Sequence, residues 1–209
     1  MKLFLVRHGE TSWNKEGIFR GRKDIQLNRN GVIQAKSIAK YLFHAQIDFI
    51  YSSPLKRALY TAKEITKYHK LNVQIAKELI DFDFGNWEGY TIEEIKKKFP
   101  ELYNLWLTNP EKLEIPNGET IPILKKRLKT FLDYLIKKHP QKTIILVSHR
   151  VVLKMLILIA LRLNTRYFWS IKLDTGSISI LEYSSGNKFV LNRLNDVSHL
   201  KNYQNHLDF

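Results

Sequence analysis

With 209 residues, 44% of them hydrophobic and 12% aromatic, the chain is long and apolar enough for one ordinary domain with a substantial core, and it is not a disordered polymer. The absence of cysteine excludes a disulfide framework, a thiolate zinc site and a cysteine nucleophile. Thirty-four Lys and Arg against 20 Asp and Glu leave a charge of +14, a field that draws anions. The lysines fall on helical patterns, as in Lys96-Lys97-Lys98 and Lys125-Lys126-Arg127, and no basic run interleaves with stacking aromatics, so nucleic acid is not an expected partner.

The chain opens on a short unbroken apolar run at residues 3–6, which suits a strand buried on both faces. It stops at Arg7-His8-Gly9. A glycine-punctuated loop containing Arg20-Gly21-Arg22 follows and ends at Asn30-Gly31. Residues 32–43 read as a helix with Ile33, Ile38, Ala39 and Leu42 on one face, and residues 48–51 as a second strand. Ser53 is placed to cap a helix that has Pro54 at its first position and runs to about residue 69, with Arg57 in its first turn. A third strand is expected over residues 73–79.

The stretch from Asp81 to Gly89 mixes carboxylates, aromatics and two glycines and reads as a loop. Thr91, Glu93 and Glu94 form a helix start. Residues 104–119 are broken by Pro110, Pro116 and Gly118, so about 82–118 is expected to be a helical insertion covering one end of the sheet within a single domain spanning 1–209. Residues 121–138 form a strongly amphipathic helix, with Leu124, Leu128, Phe131, Leu132, Leu135 and Ile136 on one face. An apolar strand at 143–147 runs straight into Ser148-His149-Arg150, and a helix over 151–163 follows. That helix contains Lys154 and Arg162 and is too short to span a bilayer. Residues 177–183 and 189–194 read as two strands joined at Ser185-Gly186-Asn187, and the polar tail from Asn202 reads as loose. No signal peptide precedes the first strand, so a soluble cytoplasmic protein with no membrane partner, monomeric or homodimeric, is expected.

Alternation of strands and helices predicts an α/β fold: a three-layer α/β/α sandwich with a mostly parallel sheet of about six strands, one of them antiparallel. Three segments then share one grammar. Residues 3–6 lead to Arg7-His8, residues 49–51 to Ser53 and Arg57, and residues 144–147 to Ser148-His149. Parallel strands would bring these ends to one edge of the sheet, where ligands of open α/β sheets gather. Two His and two Arg converging there point to a phosphate site, because Arg offers a planar fork of donors and imidazole is the side chain most readily poised near neutral pH.

The segments Leu5-Val-Arg-His-Gly-Glu-Thr-Ser-Trp-Asn14, Tyr51-Ser-Ser-Pro-Leu-Lys-Arg57, Asp83-Phe-Gly-Asn-Trp-Glu-Gly89, Pro116-Asn-Gly-Glu119 and Val147-Ser-His149 together resemble the histidine phosphatase superfamily, the phosphoglycerate-mutase-like enzymes. The likeness runs over nearly the whole chain. It implies that His8 attacks phosphorus and carries a phosphohistidine, that Arg7 and Arg57 clamp the phosphoryl oxygens, that His149 steadies the transition state, and that Asn14, the backbone at Gly21 and the backbone N–H of Arg150 complete the cradle. Like-charge repulsion from Arg7 and Arg57 would keep the attacking nitrogen neutral. No metal or cofactor is implied, since the arginines supply the charge that a cation supplies elsewhere.

Relatives place a Glu four residues before the glycine matching Gly85. Here that residue is Asp81, the expected proton donor, with Asp83 or Glu88 as alternatives. Many relatives have Gly where this chain has Arg150, whose side chain either meets a second anionic group on the substrate or faces solvent. Arg20, Asp83, Phe84 and Trp87 are candidates for the substrate pocket, with a core role as the alternative for the aromatics. Phosphoglycerate mutases of this superfamily carry a longer insertion with paired Arg, whereas residues 90–120 contain none, which favours a metal-independent phosphatase acting on a small phosphorylated metabolite. Phe168-Trp-Ser170, the strand pair and Ser198-His-Leu200 resemble bacterial metal-independent phosphoserine phosphatases. Those enzymes carry a substrate-contacting His where this chain has Phe84, so phosphoserine, α-ribazole phosphate and sugar phosphates all stay open, and His199 is a further pocket candidate. A phosphoglycerate mutase and a non-catalytic phosphate-binding scaffold are the remaining readings. The intact set of His8, Arg57 and His149 argues against the scaffold.

Overall fold

The computed structural model describes residues 1–184, 186 and 188–201. In chain order the elements are β1 (Lys2–Arg7), α1 (Ser12–Lys15), α2 (Arg29–Tyr41), β2 (Phe49–Ser52), α3 (Lys56–Thr66), β3 (Val73–Ile75), α4 (Ile92–Lys98), α5 (Pro100–Thr108), α6 (Ile121–Lys138), β4 (Thr143–Ser148), α7 (Arg150–Ala160), β5 (Ile178–Tyr183) and β6 (Phe189–Asp196). The strands form one six-stranded sheet in the order β3-β2-β4-β1-β5-β6. β1, β2, β3 and β4 pair in parallel, and β5 runs antiparallel to both β1 and β6. The fold is the expected mostly parallel α/β architecture with one antiparallel strand.

The two-residue period of each strand sorts its side chains into two cores. Phe4 and Val6 of β1 with Ile145 and Val147 of β4 face Ile38 and Ala39 of α2 and Ala58, Ala62 and Ile65 of α3. Leu3, Leu5, Ile144 and Leu146 face the other way, onto α6 and α7. Phe82, Phe84, Trp87, Ile95, Trp106, Leu113 and Ile115 from the 82–118 segment belong to that second core. The amphipathic α6 matches its expected bounds, and Thr91 caps α4 with a reciprocal Thr91–Glu94 box.

Several boundaries differ from expectation for local reasons. α2 begins at Arg29, because the Asn28 side chain caps it by accepting from the Gly31 N–H. The Asn30-Gly31 pair therefore lies inside its first turn, and Ile33 is 56% exposed while Gln34 and Ala35 turn inward. Ser53 does not cap α3, which starts two residues beyond Pro54 with no side-chain cap. β3 covers only three residues, and Lys77–Leu79 is a tight 3-10 turn. Residues 100–108 form a helix, with Pro100 in its first turn, where a missing N–H costs nothing. Ser185 and Asn187 of the expected hairpin turn, and the tail from Asn202, lie outside the described residues. Among the described residues no helix is long and apolar enough to cross a membrane.

The loop that leaves β1 is nested against α2 at two glycines. A Cβ on Gly9 would stand 2.3 Å from the Gly31 carbonyl oxygen, and one on Gly31 would stand 2.0 Å from the Glu10 carbonyl oxygen. Gln34 and Asn28 hold the same loop through the Glu10 N–H and carboxylate. Gly31→Ala should therefore destabilise the protein by about 1–3 kcal/mol, as overpacking does, in a chemical denaturation experiment. An unchanged midpoint would show that the loop yields freely.

Candidate active site

The register of the sheet builds the site. Arg7 at the end of β1 pairs with Ser148 at the end of β4, and the His8 N–H donates to the Ser148 carbonyl at 3.0 Å. On the other side of β4, the Ser53 N–H donates to the Val147 carbonyl at 3.0 Å. Three strand ends thus stand side by side, and the His8 and His149 rings come within 5.1 Å, centroid to centroid. Both histidines are 1% exposed.

Each ring has a defined tautomer. His8 Nδ1 lies 2.6 Å from the Gly9 carbonyl oxygen, which can only accept, so Nδ1 carries the proton and Nε2 keeps its lone pair. Arg57 Nε donates to His149 Nδ1 at 3.2 Å, so that nitrogen accepts and the His149 Nε2–H donates to Ser53 Oγ at 2.8 Å. Both imidazoles are held well below the ordinary histidine pKa. For His8 the largest cause is burial, followed by His149, Arg57 and Arg7. For His149 it is again burial, then Arg57, Arg20 and Arg7. Repulsion by the arginines, the cause expected from sequence, acts in the same direction but comes after desolvation and, for His8, after His149.

Arg57 is fully buried in the first turn of α3 and is locked at every nitrogen. Nη1 donates to the Lys23 carbonyl at 2.8 Å, and Nη2 donates to the Gly21 carbonyl at 2.7 Å and to Asp81 Oδ2 at 3.0 Å. Arg7 Nη1 donates to the Leu173 carbonyl at 2.6 Å, and Arg20 Nη1 to the carbonyls of Trp13 and Ile18 at 3.1 Å each. Asn14 is turned by its Oδ1, which accepts from the Thr11 N–H and hydroxyl at 2.9 Å each. Its buried Nδ2 has no hydrogen-bond partner among the described residues.

A narrow cleft of about 10 Å³ lies over these groups, lined by Arg7, His8, Phe19, Arg20, Gly21, Asp81, Phe84, Arg150 and Val151. Asp81 sits on its wall, accepting from the Phe82 N–H through Oδ1, with Oδ2 3.5 Å from His149 Nδ1. Asp83 is turned away, paired with Arg22 at 3.1 Å and accepting from the Gly85 N–H. Glu88 accepts from the backbone N–H groups of Arg22 and Phe84, and burial raises its pKa.

Two pocket candidates are placed elsewhere. Trp87 is fully buried beneath Phe19, with ring centroids 5.1 Å apart, and packs in the core because its 3-10 turn points it inward. The His199 ring lies against Tyr41 at 5.0 Å and is tied to the Gly176 carbonyl, so it supports the turn whose Gly176 N–H holds the His8 carbonyl and does not line the cleft. Two residues escaped the sequence reading. Ser53 orients His149 where a helix cap was expected. Arg127 of α6 grips Glu119 with Nε and Nη2 at 2.7 and 2.9 Å and donates to the Glu78 and Asp81 carbonyls, fixing the segment that carries Asp81. Glu119 of the Pro116–Glu119 motif was the available signal for that fork.

Among the described residues no group of three or more His, Asp or Glu is arranged to hold a metal ion. Residues 3–197 match the model of the histidine phosphatase superfamily (branch 1), and the chain belongs to that superfamily and is a phosphatase by class. It is 36% identical over 200 residues to phosphoserine phosphatase 1 of Hydrogenobacter thermophilus, covering 96% of this chain and 94% of that one. It is 30% identical over 182 residues to the adenosylcobalamin/alpha-ribazole phosphatase of Escherichia coli, covering 87% and 90%. Among solved structures, a phosphoserine phosphatase mutant from Entamoeba histolytica, in complex with phosphoserine, superposes with a TM-score of 0.86 at 34% identity, covering 95% of this chain and 98% of that one.

The depressed imidazole pKa values carry a stability consequence. Below the unfolded histidine pKa of about 6.5 the unfolded chain takes up protons that the folded His8 and His149 refuse, so stability is lost as pH falls. Between pH 7 and pH 5.5 the loss should approach about 1.4 kcal/mol per ring. Denaturation at the two pH values should show a smaller drop for His8→Asn than for the unaltered protein; equal drops would contradict the assignment.

Proposed function

We propose that the protein is a phosphomonoester hydrolase that acts on a small phosphorylated metabolite through a phosphohistidine at His8, with no metal ion required. The observation that carries this reading is the His8 tautomer. The Gly9 carbonyl holds the Nδ1 proton, so the Nε2 lone pair is left for phosphorus, and burial keeps the ring neutral.

In this mechanism His8 Nε2 forms a bond to phosphorus as the ester P–O bond breaks. Charge spreads over the three phosphoryl oxygens, where fixed cationic donors stabilise it most. Arg7 and Arg57 are those donors, joined by the buried Nδ2 of Asn14, the only group of that amide without a partner among the described residues. His149 contributes a ring whose proton and orientation are set by Ser53 and Arg57. The leaving alkoxide takes a proton from the Asp81 carboxyl. Water then gives a proton back to Asp81 as its oxygen attacks phosphorus, releasing phosphate and neutral His8. Asp81 is favoured over Asp83 and Glu88 because it alone of the three lines the cleft.

The relatives named for phosphoserine and α-ribazole phosphate support a small phosphorylated metabolite as substrate. Phe84 gives the cleft an apolar edge where the phosphoserine enzymes are expected to carry an imidazole, which weighs against phosphoserine as the preferred substrate.

His8→Asn should lower p-nitrophenyl phosphate hydrolysis by about 10³-fold or more, while EDTA leaves the rate of the unaltered protein in place; a requirement for added metal ion would overturn the mechanism. Asp81→Asn should slow an alkyl phosphate by about 10²–10⁴-fold and an aryl phosphate, whose leaving group needs no proton, far less. Equal losses on both would remove Asp81 from the acid role.

A further inference from the structure

The cleft over His8 is shut. It holds about 10 Å³, room for about one water molecule, and a phosphoryl group is much larger. A wall must therefore move before phosphorus reaches His8. Most of the wall is held by regular structure or by main-chain bonds. Arg7 and His8 stand at the end of β1, and Arg150 and Val151 open α7. The Phe19 N–H donates to the Tyr90 carbonyl, and the Phe19 carbonyl accepts from the Gly89 N–H, at 2.9 Å each. The Asp83 carbonyl accepts from the Glu119 N–H at 2.9 Å, and the Asn86 N–H donates to the Pro116 carbonyl at 3.0 Å, which seats Phe84 on the 116–119 segment. The turn at Gly21 and Arg22 is tied across the cleft by side chains instead. Glu88 Oε1 accepts from the Arg22 N–H at 2.7 Å and from the Phe84 N–H at 3.3 Å, so one carboxylate oxygen joins both walls. That oxygen lies against the bare Cα of Gly21, where a Cβ would stand 1.9 Å from it. The Arg22 guanidinium reaches the same wall, at 3.1 Å from Asp83 and 3.6 Å from Glu119. The Gly21 carbonyl also accepts from Arg57, and a phosphoryl group that engages Arg57 competes for that donor. The outer ties are breakable. The Arg22 side chain is 40% exposed, and burial together with the charges of Asp83 and Asp81 disfavours the ionised Glu88 carboxylate, a penalty that opening the turn to water relieves.

We propose that Arg22 and Glu88 form a latch on the Gly21 turn, positioning residues that set how readily a phosphoryl group enters the cleft. This rests on the phosphatase reading above and adds the control of entry to the same site. Contacts made only in the shut form compete with any ligand that needs the open one, and apparent affinity scales with the fraction of molecules that are open. The latch therefore opposes binding of an anion even though one of its members is a cation. An arginine that touched the substrate would act with the opposite sign, because its loss would weaken anion binding. Arg22 thus gives the latch a signature that its charge alone cannot produce.

Inorganic phosphate is the probe, its affinity read by calorimetry and, separately, as competitive inhibition of p-nitrophenyl phosphate hydrolysis. Arg22→Met should tighten phosphate about threefold, whereas Arg22→Lys, which keeps a cation for Asp83, should stay within about twofold of the unaltered protein. Glu88→Ala should tighten it about tenfold, since two hydrogen bonds to a charged group are lost. Glu88→Gln separates that effect from the loss of a negative charge: its amide oxygen still accepts from both N–H groups, so it should fall well short of Glu88→Ala. For p-nitrophenyl phosphate the change should lie in a lower KM, with no rise in kcat. Unchanged or weaker phosphate binding by Arg22→Met, or equal effects of Glu88→Gln and Glu88→Ala, would overturn the latch. Arg22 lies at the surface, so Arg22→Met decides the matter even where a Glu88 variant does not fold. Hydrolysis by the unaltered protein tests the phosphatase reading on its own, and calorimetry decides the latch whether or not hydrolysis is seen.

Discussion

The site depends on the burial of one guanidinium. Arg57 is withdrawn from water, a cost met only because each of its nitrogens has an acceptor. Those acceptors come from three separate stretches of chain: the carbonyls of the 21–23 loop, the Asp81 carboxylate and the His149 ring. A side chain anchored in the first turn of α3 therefore brings two loops and a strand end to a common point. Removing its charge would leave a buried carboxylate and two carbonyls without their donor, so the architecture around it has one satisfied arrangement.

The same economy governs the imidazoles. Burial and surrounding cations keep both rings neutral, and hydrogen bonds to groups of fixed polarity choose which nitrogen is protonated. A carbonyl that can only accept and an arginine that can only donate assign His8 and His149 complementary states. Cations that oppose protonation of the rings are also the groups that attract an anion. One set of charges thus prepares the nucleophile and the place where its target will sit. Arg127 extends this order outward by tying Glu119 to the backbone that carries Asp81.

The fold class, the parallel arrangement and the convergence of Arg7, His8, Arg57 and His149 were legible in the sequence because each is a local pattern. Apolar runs of four to six residues end abruptly at polar ones, and alternation with amphipathic helices makes the strands parallel. The places where local patterns misled are those where a longer-range partner won. Ser53 has the chemistry of a helix cap but bonds His149, which is 96 residues away. Trp87 lies in a stretch that reads as a loop, yet it is drawn into the core by Phe19 and Tyr103. His199 is held by the Gly176 carbonyl and Tyr41.

From the sequence alone came the kinds of residue at each strand end, and with them the chemical class of the site, since side-chain type and strand periodicity are properties of short windows. The tertiary structure decided which nitrogen of His8 carries its proton, which of the three carboxylates faces the cleft, and that Ser53 orients His149. Those outcomes turn on hydrogen-bond directions and on contacts between segments far apart in the chain, and no window of sequence contains both partners.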